Sequence, residues 1–243
     1  MKQTIKALLA LFAIVVLSGC AAGLDKTATA IDWSKGSVIV MSVEMQNQYK
    51  PNYPATSLGV VMTRKTGNDA RQQIRAASNI PAGDNAYLVT SQIQPGTYSI
   101  SRIFGVSQKF PIMGSVDFAV DAPFEITPNS VTYLGRLATV NKEKTNKNDQ
   151  STGAVLPIID QAVSGFGSGT LHVVLKDNYE EDVKLFKKEF VYVQNMDVIR
   201  RPLQKMMLER TTGSSAKSTA VRLETNVAEK EQPTASLTSS ATK

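Results

Sequence analysis

The chain reads as mainly β, an antiparallel β-sandwich with one or two C-terminal helices. Three observations lead there. Apolar and polar residues alternate with period two in short runs between Val38 and Lys176. Pro, Gly and Asn separate several of those runs. Strong helical periodicity is confined to Asp177–Phe190, near the C-terminal end. Several short strands with few helices are the pattern of a sandwich or barrel.

Taken in order, the chain opens as a secretory leader. Lys2 and Lys6 supply positive charge, and Ala7 to Leu17 is unbroken apolar sequence. That run falls short of the roughly 20 residues a membrane-spanning helix needs. Leu17-Ser18-Gly19-Cys20 follows. It resembles the bacterial lipobox, in which lipoprotein signal peptidase cuts before a cysteine carrying diacylglycerol. The resemblance implies a signal peptide over 1–19 and a lipid on Cys20, joined by a thioether and completed by an N-acyl chain. Several acyl chains hold where one would not. Cys20 is the only cysteine, so it has no internal partner for a disulfide. In Gram-negative lipoproteins of this type, aspartate after the cysteine marks retention in the inner membrane. Ala21 stands there instead, so the expected place is the outer membrane, facing the periplasm.

Residues 20–30 are small and polar and read as a tether, 31–210 as one domain. Residues 211–243 are rich in Ser, Thr, Ala, Lys and Glu, with no aromatic side chain. They bury too little apolar surface to offset ordering, which reads as a disordered tail. The strands expected inside the domain are 38–45, 58–63, 86–92, 97–104, 116–120, 123–126, 131–140 and 170–176. Gln94-Pro95-Gly96-Thr97 predicts a type II turn, with Pro at its second position and Gly at its third, joining two strands as a hairpin. In the strand after it, Tyr98, Ile100 and Phe104 are expected on one face. Thr127-Pro128-Asn129-Ser130 is a second such turn. Tyr179, Val183, Phe186 and Phe190 form one helical stripe, with Asp177 and Glu180 as a capping box. A weaker helix is expected over 202–210, with Pro202 in its first turn.

Three segments, "IQPGTYSISRIFG", "FEITPNSVTYLGRL" and "DNYEEDVKLF", occur in that order. Together they resemble uncharacterised bacterial lipoproteins with a carboxypeptidase-regulatory-like β-sandwich. In those, a Pro-Gly-x-Tyr turn precedes a strand and a Tyr-Leu-Gly strand follows a proline turn. The resemblance implies fold and no activity. This chain departs from it by inserting "NKEKTNKNDQSTGAVLPIIDQAVSGFGSG" after the Tyr-Leu-Gly strand.

Little points to chemistry. The single histidine, His172, lies on the outward face of an expected strand, with no nucleophile paired to it. Zinc sites want several His or Cys ligands. Asp177, Glu180, Glu181 and Asp182 lack the glycine-turned spacing of a calcium loop and suit a helix N-terminus. Gly165 to Gly169 precedes a strand, where a phosphate-binding turn follows one and opens a helix. No catalytic residue, metal or cofactor is therefore expected. Removing Lys2 and Lys6 with the leader lowers the net charge from +6 to +4, and the cations are dispersed, so nucleic acid is not an expected partner.

The expected function is a non-enzymatic interaction or assembly module of the cell envelope. A small-ligand or glycan-binding module is the second reading, and a carboxylate-based hydrolase the third. The expected partners are the membrane, through the lipid on Cys20, and an envelope protein. Sandwiches commonly recognise through end loops. The insertion Lys142–Gly169, with Lys142, Lys144 and Lys147, is the candidate recognition element.

Overall fold

The computed structural model describes residues 24–67, 72–153, 159–203 and 224–225. Within these, the strands are β1 (Ser37–Asn47), β2 (Thr56–Arg64), β3 (Gln73–Pro81), β4 (Ala86–Ile93), β5 (Gly96–Lys109), β6 (Ile112–Ile126), β7 (Val131–Glu143), β8 (Gly169–Lys176), β9 (Val198–Arg200) and β10 (Glu224–Thr225). Helix α1 is Ile159–Val163 and helix α2 is Tyr179–Glu189. The protein is mainly β. One sheet runs β10-β8-β7-β1-β4-β3-β2-β5-β6, and β9 pairs with β7 beside β8.

This sheet curls until its ends almost meet. The seam is the short stretch Thr152–Gly153. The Asp117 amide of β6 donates to the Thr152 carbonyl at 2.9 Å, and the Thr152 amide donates to the Gly169 carbonyl of β8 at 3.0 Å. Thr152 thus ties β6, the last strand of the order, to β8 near the other end. The Gln161 side chain of α1 meets the Ser115 amide at 3.2 Å and also donates to the Ser115 hydroxyl. These bonds satisfy part of a strand edge that would otherwise invite pairing with another chain.

The expected all-antiparallel pairing needs correction. β1 and β7 are parallel, with Val38 opposite Val131 and Asn47 opposite Asn141. Five strands intervene between them in the chain, so no tight hairpin dictates antiparallel pairing. The Gln94–Thr97 hairpin is corrected too. β4 pairs with β1 and β3, and β5 with β2 and β6, so this turn carries the chain across the fold. The Tyr98 hydroxyl closes the corner by donating to the Gln94 carbonyl at 2.7 Å, and Gly96 takes a φ of 146° that L side chains rarely adopt.

A bulge overturns a third expectation. The β5 register slips between Ile100 and Arg102 against β6. One extra residue reverses the alternation, so Tyr98 and Ile100 point inward with Ile103, while Phe104 turns outward beneath the Arg75 guanidinium. The expected strands 116–120 and 123–126 are one continuous β6. β3 and β9 were not among the expected strands.

Two apolar cores result. Inside the curl, Met41, Met62, Ile100, Phe118 and Phe166 are fully or almost fully buried. On the outer face, Val38, Val40, Leu88 and Tyr133 are covered by Val183 and Phe186 of α2 and by Phe190 just after it. The helical stripe is as expected from its spacing. Burying Phe186 contributes about 1.5–3 kcal/mol. The expected capping box does not form. Asn178 precedes the helix without a side-chain cap, and Asp177 instead accepts from Arg200 at 2.8 Å.

Leu24 packs against the outer core, and Lys26 pairs with Glu189 at the end of α2. Leu203 enters the inner core, and its amide donates to the Leu134 carbonyl at 2.8 Å. The leader, Cys20, most of the expected helix over 202–210, and the tail apart from Glu224–Thr225 lie outside the described residues. Those two residues run parallel to Val174–Leu175 of β8.

Candidate functional site

Two buried polar assemblies organise the molecule. The first fastens α2 to the sheet. Asp182, 1% exposed, receives the Arg136 guanidinium at 2.6 Å, the Ser42 hydroxyl at 2.5 Å and the Tyr133 hydroxyl at 2.9 Å. Ser42 in turn accepts from Arg136 Nε at 2.9 Å, and Tyr133 accepts from the Asn178 amide at 3.1 Å. The carboxylate therefore has its charge paired and its lone pairs occupied, the condition under which a buried ion survives desolvation. Burial and the adjacent Asp182 charge push the Tyr133 hydroxyl far above the ordinary tyrosine range. A phenol locked as a donor has no proton to give at neutral pH. This assembly is a fastening.

Asp182 was expected at the helix N-terminus with Asp177, Glu180 and Glu181, and it does lie in the first turn of α2, but buried against the sheet. The signal was in the spacing, since Asp182 stands three residues after Tyr179 and four before Phe186, on the buried side of the helix.

The second assembly lies where four connections gather, after β1 (48–55), after β3 (82–85), at the β5–β6 turn and in the insertion before β8. We call this the loop end. Asn141 Nδ2 donates to Asn47 Oδ1 at 2.9 Å, and Thr152 Oγ1 donates to Asn141 Oδ1 at 2.6 Å. Asn47 Nδ2 also reaches the carbonyls of Tyr53 at 2.8 Å and Ser164 at 3.0 Å. Two asparagines thus tie the β1–β2 connection to the insertion.

The insertion closes the inner core. Phe166 is fully buried, and its ring lies so near β6 that a Cβ added to Gly114 would stand 2.7 Å from it. Gly165 turns with φ of 81°, and a Cβ there would meet Lys50 Cγ at 2.5 Å. The insertion expected as a recognition element is thus in part a plug in the inner core.

Of the three candidate lysines, Lys142 and Lys147 are exposed. Lys144 is half-buried, and its ammonium donates to Ser151 Oγ at 2.6 Å. Lys147 rides a tight turn in which the Asp149 amide donates to the Asn146 carbonyl at 3.0 Å. The three share the loop end without converging on one point. His172 is exposed on β8, as its alternation required. Among the described residues, no group of three or more His, Cys, Asp or Glu side chains is arranged to hold a metal ion.

Sequence reasoning missed Phe110. It stands at the β5–β6 turn with 96% of its surface exposed, beside Met113 at 57%. Next to it in the chain, the Lys109 ammonium sits 5.8 Å from the centre of the Tyr53 ring, and on the β1–β2 connection Lys50 sits 5.0 Å from that of Tyr49. Phe-Pro between two strands was the available sign.

No protein-family model matches the chain, and no curated protein matches it in sequence. Among solved structures, it is similar to a "putative cell adhesion protein" of Bacteroides fragilis. The likeness has 11% identity and a TM-score of 0.27, and covers 50% of this chain and 48% of the other. The chain therefore spans about half the length of that neighbour. At this level of likeness neither fold nor function carries over.

Proposed function

We propose that the protein is a lipid-anchored lipoprotein of the outer membrane, facing the periplasm, whose curled sheet serves as a non-enzymatic interaction module of the cell envelope. The observation that carries the reading is the loop end. Four connections converge there and display Phe110, Met113, Lys142 and Lys147 to solvent. An exposed apolar cluster rimmed by charge marks an interaction site more often than a folding need. The Leu17–Cys20 lipobox stands just before Leu24, which packs against the core that α2 covers. A lipid on Cys20 would thus join the domain at its helical side.

The finer architecture we read as sandwich-like. β2, β5 and β6 form one side, and β1, β4, β7 and β8 the other. They share β3, which pairs with β2 up to Ala77 and with β4 from Ser78. The corner locked by Tyr98 supports the resemblance to carboxypeptidase-regulatory-like lipoproteins.

In-cell cross-linking tests the interaction reading. Replacing Lys142, Lys144 and Lys147 with serine should deplete cross-linked partners and reduce their salt sensitivity. A second variant changes only Lys142 and Lys147, which leaves the Lys144–Ser151 bond in place. An unchanged partner set in both variants would overturn a role for the insertion in recognition.

A further inference from the structure

We propose that the β5–β6 turn is a wedge that docks on an anionic lipid surface, with Phe110 and Met113 entering the boundary between headgroups and acyl chains. This rests on reading the loop end as the interaction end. Folding offers no reason for the exposure of Phe110, since the side chain touches neither core and lies at the tip of the two longest strands. Helix α1, beside the tip, adds one more exposed apolar side chain. The Met113 amide donates to Asp160 Oδ2 at 3.4 Å, and Val163, three residues further along α1, is 37% exposed.

The cations are placed as an interface requires. Lys109 precedes Phe110 directly. The ammonium groups of Lys109 and Lys50 stand over the rings of Tyr53 and Tyr49, 5.8 Å and 5.0 Å from their centres. On docking, each head can leave its ring for a lipid phosphate while the stem stays against apolar surface, and tyrosine suits the same depth. Asp160 is turned toward the Met113 amide, and Glu143 accepts from the Tyr49 hydroxyl at 3.4 Å.

Size argues for lipid over protein. A stable protein interface covers on the order of 800 Å² on each partner. A protruding wedge of two or three apolar side chains falls short of that, whereas a fluid bilayer closes around it. Such docking is weak and reversible alone.

The test uses the chain from Ala21 onward, prepared without lipid. Both described cores are built from Leu24 and later residues, so this chain keeps the fold. Co-sedimentation is measured with vesicles of phosphatidylglycerol and phosphatidylcholine, and with phosphatidylcholine alone. The expected result is binding to the mixed vesicles that weakens with added salt. Phe110→Ser should bind roughly tenfold more weakly, while Val191→Ala, 66% exposed on another face, binds like the parent. Circular dichroism confirms that each variant is folded. Failure to bind the mixed vesicles, equal binding to neutral vesicles, or undiminished binding by Phe110→Ser would each overturn the wedge. None of these results bears on acylation of Cys20, and loss of fatty-acid label would leave the wedge standing.

Discussion

Asp182 and Arg136 meet at 2.6 Å beneath helix α2, with 1% and 13% of their side chains exposed. The pair joins β7 to a helix packed on the outside of the sheet. Removing one partner leaves a buried charge uncompensated, so Asp182→Ala should cost about 3–5 kcal/mol in denaturant unfolding. The double change Asp182→Leu with Arg136→Met should recover much of that loss, since a well-packed apolar pair replaces the ions. A double variant no more stable than Asp182→Ala would show that the network has a role beyond fastening.

Phe166 should behave as core despite its place in a glycine-rich connection. Phe166→Ala should cost about 3–5 kcal/mol. Lys147→Ser, on the same insertion but exposed, should stay within about 0.5 kcal/mol of the parent. Similar small effects for both would mean that the plug contributes nothing to stability.

Tyr133 predicts an alkaline sensitivity. Burial and the Asp182 charge raise its folded-state value far above that of an exposed tyrosine. Its contribution is therefore complete below the ordinary tyrosine value of 10.0 and is lost as pH rises beyond it, because only the unfolded chain ionises readily. Unfolding free energy measured across that range should fall more steeply in the parent than in Tyr133→Phe. Parallel slopes would contradict the assignment.

The inner face of β8 and the stripe of α2 were legible because each follows one period without interruption. Leu171, Val173 and Leu175 are buried, and His172 is exposed. β3 escaped because its inward row, Ile74, Ala76 and Ser78, is short and partly small, and a register shift then turns Ile80 to the outer core. Phe104 was misplaced because a bulge consumes one residue with no compositional mark. The turn at Pro95-Gly96 was visible, but which strands it joins depends on long-range pairing. At the loop end, Lys142 and Lys147 were legible as exposed cations. The asparagine knot and the burial of Phe166 were not, because polarity and neighbouring glycines suggest solvent until the partners are in place.

Metabolic labelling with a fatty acid measures the proposed attachment through Cys20 most directly. The parent protein should carry the label, and Cys20→Ala should carry none and keep its leader uncut. Label that persists in Cys20→Ala, or a parent protein that takes up none, would contradict the account.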